Sequence, residues 1–468
     1  MLQIAFIAQN QTSAALEIAE RGRARAVVEL LAKRLSSNPE AISDIAPPSI
    51  EQIQQISQEQ NATLVEYSIV SEQELFIWVI QPRGKITFRL VDLKSLKPLL
   101  QDLVLDTRQS IGVRSRDLTQ EISLTPSDLV KLKDDAPGWE PWEVVTVDTG
   151  SGILKLRQSS FPEGVTIERP LSDVAAKVES RRTTNSHLQQ LHQLLIEPIA
   201  EFLPTDPEAR VIFIPQGELF LVPFPALQDT EEKYLIEKHT ILTAPAIQVL
   251  NLTRKQRFRV PGFAKNMLVV GNPTMPKVSL IPENPPQPLA ALPNAEQEAK
   301  AIAQMFQTKA FTGNQATKAA IVQQLSNARL IHFATHGLLD DTRGLGSAIA
   351  LAPSDTDNGL LNAEEILELN LNAELVVLSA CNTGQGRITG DGVIGLSRSL
   401  IAAGTPSVIV SLWAVPDAPT ASLMTEFYQN FQRTGDKAQA LRQAMLTRMQ
   451  QHPKPRDWAA FTLIGEAK

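Results

Sequence analysis

Cysteine is almost absent from this chain of 468 residues, which contains only Cys381. A single cysteine excludes an internal disulfide and a zinc site built from several thiolates, and it fits a reducing compartment. No apolar run approaches the ~20 residues that a membrane-spanning helix needs. The amino terminus also lacks the basic start and cleavage site of a secretory signal. We therefore expect a cytoplasmic protein without a membrane partner.

A strong excess of charge of either sign is also missing. The formal net charge is -7 at pH 7, which argues against nucleic acid or an anionic membrane as a constitutive partner. With 43% hydrophobic and 20% charged residues, the composition is that of a folded protein. The length exceeds what one hydrophobic core usually serves, so it predicts two domains or one of double size.

Hydrophobic periodicity divides the chain into three parts. Residues 1–60 have a helical period and predict a helical amino-terminal segment. In residues 61–260 the period changes to two, which predicts an antiparallel meander opening an α/β half, with a small β insertion near 110–171. In residues 261–468 strands alternate with helices, which predicts a mostly parallel sheet with helices on both faces.

Local patterns predict the following elements within these parts. Helices are expected over residues 14–35, 49–60, 93–105 and 174–202, and a strand followed by a hairpin across 211–222. Residues 272–294 hold seven prolines and are expected to form an extended loop or flap without regular structure. A helix capped by Asn294 should follow this loop, and one capped by Asp436 should lie near the end of the chain.

Two strands of the last part end in reactive side chains. One strand, near residues 330–335, leads into His336, and the other, near 374–380, leads into Cys381. Function gathers beyond the carboxyl ends of strands in parallel sheets. If the two strands are adjacent and parallel, about 4.8 Å apart, His336 and Cys381 emerge side by side.

The chemistry of a thiol explains why that adjacency matters. A thiol with the reference pKa of about 8.5 is only slightly ionised at neutral pH. An imidazole within hydrogen-bond reach raises the thiolate fraction and later protonates the leaving amine. The main-chain N–H groups of Gly337 and Cys381 would form an oxyanion hole. No buried acid is obvious as a third member, so the sequence predicts a Cys–His dyad.

Several short segments carry a family resemblance when they are taken together and in order. They are GEL at 217–219 with PFPAL at 223–227, HFATHG at 332–337, LSACNTG at 378–384, GDG at 390–392 with LSR at 396–398, SLWAV at 411–415, and WAAF at 458–461. From about residue 211 to 465 the chain resembles the CHAT domain, a prokaryotic branch of the caspase and separase clan of cysteine peptidases.

The resemblance implies a caspase-like α/β fold and a cofactor-free cysteine endopeptidase of a bacterial cell that cleaves proteins. His336 and Cys381 would be the catalytic dyad, and Gly337 would assist the oxyanion hole. The family also implies a degenerate caspase-like half before the catalytic one, for which residues 63–256 are the candidate. Residues 16–24 resemble the helix that closes a tetratricopeptide array, although no 34-residue repeat is evident.

Three acidic residues suggest a substrate preference. Asp340 and Asp341 follow the His336 strand, and Asp391 follows Cys381. Their carboxylates could receive a basic side chain at the cleavage position.

His332 and His336 have the spacing of a helical zinc pair, but on a strand they lie about 13 Å apart along the axis. We therefore expect no metal and assign His332 to the core or to a supporting position.

A second class of function stays open. The domain would then be a catalytically silent or latent scaffold within a bacterial signalling or defence complex, regulated by a protein partner. In that case Cys381 should have an ordinary thiol pKa and react slowly with alkylating agents. The proline-rich segment 272–294 is the candidate gate of a latent enzyme.

Overall fold

Apolar strands with few polar interruptions build the centre of the molecule. The computed structural model describes residues 2–36, 45–111, 124, 129–135, 139–148, 152–158, 165–178, 181–259, 266–279, 285–338, 346–379, 390–413 and 417–468, with backbone only at 175–178, 181–184, 390–394 and 417. Within these ranges, no helix combines the length and the apolar character required to cross a membrane.

Four helices open the chain: α1 (Leu2–Ala8), α2 (Thr12–Arg21), α3 (Arg25–Leu35) and α4 (Ile50–Gln60). The single helix expected over 14–35 is therefore wrong. Ala24 adopts a left-handed conformation with φ of 46°, which breaks the hydrogen-bonded path between α2 and α3. The helix expected over 49–60 is confirmed, because Ser49 and Gln52 form a capping box at the start of α4.

The predicted antiparallel meander is confirmed. It consists of β1 (Ala62–Ser71), β2 (Glu74–Ile80) and β3 (Ile86–Asp92). The following helix, α5 (Leu100–Ser110), begins later than the predicted residue 93. Pro98 explains the delay, since proline disfavours a helical conformation at the residue before it and cannot donate a helix hydrogen bond.

A separate sheet occupies the region where the sequence predicts a β insertion. Its strands are β4 (Leu129–Leu132), β5 (Trp142–Asp148), β6 (Ile153–Arg157), β7 (Ile167–Pro170) and β8 (Val174–Val178), in the order β7-β6-β5-β4-β8. A small core of its own includes Trp142 and Val144. The helix expected over 174–202 is partly wrong, because β8 pairs with β4 through the main chain and this pairing overrides local helix preference.

The chain then returns to the main sheet. The next elements are α6 (Arg181–Leu195), β9 (Arg210–Ile214), α7 (Leu235–Lys238), β10 (Thr240–Thr243) and α8 (Ile247–Arg257). The strand expected near 211 is confirmed as β9. The hairpin expected to complete it by residue 222 is wrong, because Gly217, with φ of 53°, turns the chain into a 3₁₀ helix.

Strands and helices alternate in the last part of the chain, as the sequence predicts. They are β11 (Met267–Pro273), β12 (Lys277–Val278), β13 (Gln287–Pro288), α9 (Pro293–Met305), β14 (Ala310–Gly313), α10 (Lys318–Leu325), β15 (Leu330–Ala334), β16 (Gly337–Leu338), β17 (Ala348–Ala350), β18 (Leu360–Asn362), α11 (Ala363–Glu368), β19 (Leu375–Leu378), α12 (Gly390–Ala402), β20 (Ser407–Ser411), α13 (Asp417–Thr434), α14 (Lys437–Gln451) and β21 (Phe461–Gly465). Asp436 caps α14 as expected. The cap predicted at Asn294 is wrong, because α9 begins at Pro293, whose fixed φ suits the first helical position.

One eleven-stranded sheet passes through both halves of the chain, in the order β14-β11-β15-β19-β20-β21-β10-β9-β1-β2-β3. Neighbours from β14 to β20 are parallel, and so are those from β21 to β1. The fold class is therefore α/β with a mostly parallel sheet flanked by helices, as the sequence predicts. The division at residue 260 stays a prediction, since β21 lies between β20 and β10.

Buried charges attach the amino-terminal helices to this sheet. The Glu20 carboxylate accepts hydrogen bonds at 3.1 Å from the N–H groups of Ile247 and Gln248, at the start of α8. The Arg23 guanidinium lies 2.9 Å from Glu66 of β1; the Glu66 side chain is fully buried, and 9% of the Arg23 side chain is exposed. Burial raises the pKa of Glu66 well above its usual range, while Arg23 opposes that shift. The helices of residues 1–60 are thus packed into the main core.

Gly271 allows β11 to pack closely against α9. A Cβ atom at this position would lie 2.3 Å from the Ala299 Cβ and 2.7 Å from the Ala295 carbonyl oxygen. We expect Gly271→Ala to lower the free energy of unfolding by about 1 to 3 kcal/mol, as overpacking does in other cores, measured by urea denaturation. Gly22→Ala is the control, because no atom lies within 4 Å of its Cβ position. Equal stability of the two variants would contradict this packing.

Candidate active site

The strand that leads to His336 and the strand that leads to Cys381 are neighbours. β15 and β19 are parallel, and their register pairs His332 with Val377 and Phe333 with Leu378. The condition set in the sequence analysis, that the two strands are adjacent and parallel, is therefore met. His336 lies two residues beyond the end of β15, at the carboxyl edge of the sheet, where parallel sheets gather their functional groups.

The His336 ring is buried, with 1% of the residue exposed. Its Nε2 atom lies 2.7 Å from the carbonyl oxygen of Ala290. A carbonyl can only accept, so Nε2 carries the hydrogen and donates it. Nδ1 is buried and has no hydrogen-bond partner among the described residues. In the neutral form of this ring, the lone pair is therefore on Nδ1.

Ala290 belongs to the proline-rich segment. The sequence predicts no regular structure there, but β12 and β13 form a short antiparallel pair. The Leu289 N–H donates to the Pro276 carbonyl at 3.1 Å, and the Leu292 N–H donates to the Asn272 side chain at 2.8 Å. These bonds hold the Ala290 carbonyl over His336. Sequence reasoning missed this partner, because every residue has a main-chain carbonyl and the residue type does not indicate which one will contact His336.

A small sheet of β16, β17 and β18 fixes the backbone on both sides of His336. The Ala350 N–H donates to the His336 carbonyl at 2.9 Å, and the Thr335 hydroxyl donates to the Ala350 carbonyl at 2.8 Å. Gly337 pairs with Ile349 at the next position of the ladder. In antiparallel pairs the hydrogen-bonded and free positions alternate, so the Gly337 N–H points away from β17.

The other predicted site residues have a more limited description. Cys381, Asp340 and Asp341 lie outside the described residues, and their roles stay predictions. Asp391 lies in the first turn of α12, where only the backbone is described. Of the proposed catalytic groups, His336 and Gly337 are therefore the ones for which geometry is available.

His332 is a core residue with two polar partners. Its Nε2 lies 2.9 Å from the Glu298 carboxylate, and its Nδ1 lies 3.2 Å from the Tyr428 hydroxyl. All three side chains are buried. Burial, with a contribution from Glu298, raises the pKa of Tyr428 well above its usual value, so the hydroxyl keeps its proton. His332 thus links β15 to α9 through Glu298 and to α13 through Tyr428. Both of its ring nitrogens have partners in the core, which supports a structural role for this histidine.

Comparison with models of known protein families identifies the family of this chain. The family model of the CHAT domain matches residues 185–466. The chain belongs to the CHAT domain family. The match begins within α6 and covers every strand of the main sheet from β9 onward, including the strands that lead to His336 and Cys381.

Two curated proteins resemble this CHAT domain chain over nearly its whole length. Tetratricopeptide repeat protein 28 of Homo sapiens is 25% identical over 549 residues, which covers 99% of this chain and 22% of the relative. The protein of the same name from Mus musculus is 25% identical over 548 residues, with the same coverage. The chain thus spans about a fifth of the length of these relatives.

The solved structures of separase from Saccharomyces cerevisiae, in complex with securin, share the fold. One of them has a TM-score of 0.53 and 13% sequence identity, and the match covers 98% of this chain and 34% of the separase chain. A likeness at this identity shows the fold alone, which is caspase-like α/β. It extends into the amino-terminal residues that precede the CHAT family match.

The buried pair of His332 and Glu298 should be energetically coupled. We expect His332→Leu to lower the free energy of unfolding by about 3 to 5 kcal/mol, because it leaves the Glu298 carboxylate buried without its partner. The double variant His332→Leu/Glu298→Leu removes both polar groups and should be more stable than the single variant. Urea denaturation measures both, and simple additivity of the two single substitutions would contradict the coupling.

Proposed function

We propose that this CHAT domain is a cysteine endopeptidase, with Cys381 as the nucleophile and His336 as its general base and acid. The observation that carries the proposal is the state of the His336 ring. Its Nε2–H is committed to the Ala290 carbonyl, while Nδ1 has no partner among the described residues. A buried acceptor without a partner costs about 1 to 3 kcal/mol, which is understandable where that atom has a chemical task.

The register of the sheet supports the pairing of this nitrogen with the thiol. His336 and Cys381 each lie three residues beyond a registered pair, Phe333 with Leu378. If the register continues over these residues, the two face each other across a strand spacing of about 4.8 Å. That separation suits proton transfer from sulfur to Nδ1 after small adjustments of the side chains.

The proposed reaction begins when Nδ1 takes the proton of the Cys381 thiol. The thiolate attacks the peptide carbonyl carbon, and the main-chain N–H groups of Gly337 and Cys381 bind the resulting oxyanion. The His336 imidazolium then gives its proton to the leaving amine, which departs as the C–S bond is retained in a thioester. Water, deprotonated by Nδ1, hydrolyses the thioester and regenerates the thiol.

The Ala290 carbonyl acts through His336 in this scheme. It accepts the Nε2 hydrogen throughout the cycle, so it holds the ring in the tautomer that leaves Nδ1 basic. When the ring becomes positively charged, the same carbonyl dipole stabilises it. The carbonyl thereby does the work that a carboxylate performs in a catalytic triad, and no acidic third member is required.

Loss of either catalytic side chain should abolish cleavage. We expect Cys381→Ala and His336→Ala to lower the rate of peptide hydrolysis by about 10³-fold or more, measured with a fluorogenic peptide library. A peptidyl electrophile should label the parent at Cys381, which is the only thiol in the chain. His452→Gln, at an exposed histidine, is the matched control. Parent-like cleavage by Cys381→Ala would refute the proposal.

A latent state is the second candidate, and the burial of His336 favours it. With 1% of the residue exposed, the ring is shielded from solvent, and Ala290 of the proline-rich segment is in direct contact with it. We propose that a protein partner opens this segment. The solved separase structure with the same fold is a complex with another protein, securin. A parent protein that neither cleaves peptides nor reacts with the electrophile would favour this candidate over a constitutive peptidase.

We further propose a preference for a basic residue at the cleavage position, with Asp391, Asp340 and Asp341 as its acceptors. A charge-assisted hydrogen bond contributes about 1.5 to 3 kcal/mol, so Asp391→Asn should lower kcat/KM for basic substrates by about tenfold to a hundredfold. Substrates with neutral residues should be affected little. Asp355→Asn, at an exposed aspartate between β17 and β18, is the control, and a parent preference for acidic or large apolar residues would refute the assignment.

A further inference from the structure

A surface with an exposed aromatic ring and several cations lies at the carboxyl end of α8. We call it the basic-aromatic patch and define it by Arg254, Lys255, Arg257, Phe258 and Arg259. Phe258 is 70% exposed, the highest value among the large hydrophobic residues that the structure describes. The guanidinium carbons of Arg254 and Arg257 lie 5.6 and 5.8 Å from the centre of its ring.

Helix electrostatics explains only part of this arrangement. Cations in the last turn of a helix are favourable because the carboxyl end of the helix is partly negative. That effect accounts for Arg254, Lys255 and Arg257, which all lie in the last turn of α8. It does not account for a large apolar ring that is left in water, where burying it would be favourable. The ring and the cations together therefore point to a binding surface.

Much of the positive charge of the patch is not neutralised within the described residues. Arg254 pairs with Glu59 of α4 at 3.2 Å, and Arg259 donates to main-chain carbonyls at the end of α3. Among the residues that the structure describes, Lys255 and Arg257 have no carboxylate within ion-pair distance, unlike Arg254. The patch is thus positive in a chain whose formal net charge is -7. This contrast favours an acidic partner.

A groove beside Phe258 gives the surface its shape. A cavity of about 260 Å³ lies between α4 and α8. It is lined by Ile56, by the amides of Gln52, Gln55 and Asn251, and by Glu59, whose carboxylate is paired with Arg254. Such a volume receives one or two side chains, and the amides can bond with a main chain. A concave groove with amide walls suits an extended peptide better than a flat lipid surface.

The patch lies away from the proposed catalytic centre. α8 starts after the carboxyl end of β10 and runs back along the sheet, so its last turn lies at the amino edge of the strands. His336 lies at the opposite, carboxyl edge. A segment bound at the patch would leave the catalytic edge free.

We propose that the basic-aromatic patch docks an acidic, extended segment of another protein. An apolar side chain of that segment packs against Phe258 and enters the groove, and flanking carboxylates pair with Lys255 and Arg257. The interaction combines desolvated aromatic contact with charge-assisted bonds, the combination typical of interface hot spots. It does not depend on peptidase activity.

Selection from a random linear-peptide library on the full chain tests this assignment. We expect the enriched peptides to share an apolar residue flanked by Asp or Glu. Fluorescence anisotropy should then show that Phe258→Ala and Lys255→Glu each weaken binding of an enriched peptide by about tenfold or more. Lys94→Glu, at an exposed lysine after β3, is the matched charge control and should bind as the parent does. Binding should also weaken as the salt concentration rises.

Several outcomes would overturn the proposal. Enriched peptides that are basic or uncharged would contradict the charge argument, and equal binding to the parent and to Phe258→Ala would contradict the role of the ring. Stronger binding to phosphatidylserine vesicles or to single-stranded DNA than to the enriched peptide would assign the patch to a different class of partner. Phe258, Lys255 and Lys94 are all exposed, so the three variants should keep the thermal unfolding midpoint of the parent. This measurement checks that they are folded.

Discussion

The hydrogen bond from His336 to the Ala290 carbonyl is the interaction on which the proposed chemistry depends. It commits one ring nitrogen and thereby leaves the other as the only proton acceptor of the imidazole. Because Ala290 lies in a segment held by β12 and β13, the orientation of the ring depends on that segment remaining in place. The same contact buries the ring, so one segment both positions His336 and restricts access to it.

The eleven-stranded sheet explains why such a segment can be held rigidly. Its parallel strands bring β15 and β19 into adjacent register, and the small sheet of β16 to β18 fixes the residues around His336 from the other side. The amino-terminal half continues the sheet beyond β21, and the buried pair of Arg23 and Glu66 attaches the first helices to it. The edge that carries His336 therefore belongs to a framework that extends through both halves of the chain.

Much of this framework could be predicted from the sequence, because apolar runs such as residues 375–378 identify buried strands directly. The alternation of strands and helices predicted a mostly parallel sheet, while the adjacency of β15 and β19 remained a condition that only the fold could meet. Features set by the main chain could not be predicted: the Ala290 carbonyl, the left-handed Ala24 that divides two helices, and β8, which owes its form to a strand distant in sequence. The pairing of Arg23 with Glu66 could not be predicted either, because the two residues are distant in sequence and only the fold brings them together.

The ionisation of the single thiol tests the pairing of His336 and Cys381 most directly. The rate of alkylation by iodoacetamide, followed as a function of pH, reports the pKa of Cys381 without interference, because the chain holds no other cysteine. We expect that pKa to lie well below the reference value of about 8.5 in the parent and to return toward it in His336→Ala. A pKa near the reference value in both proteins would show that the imidazole and the sulfur do not interact.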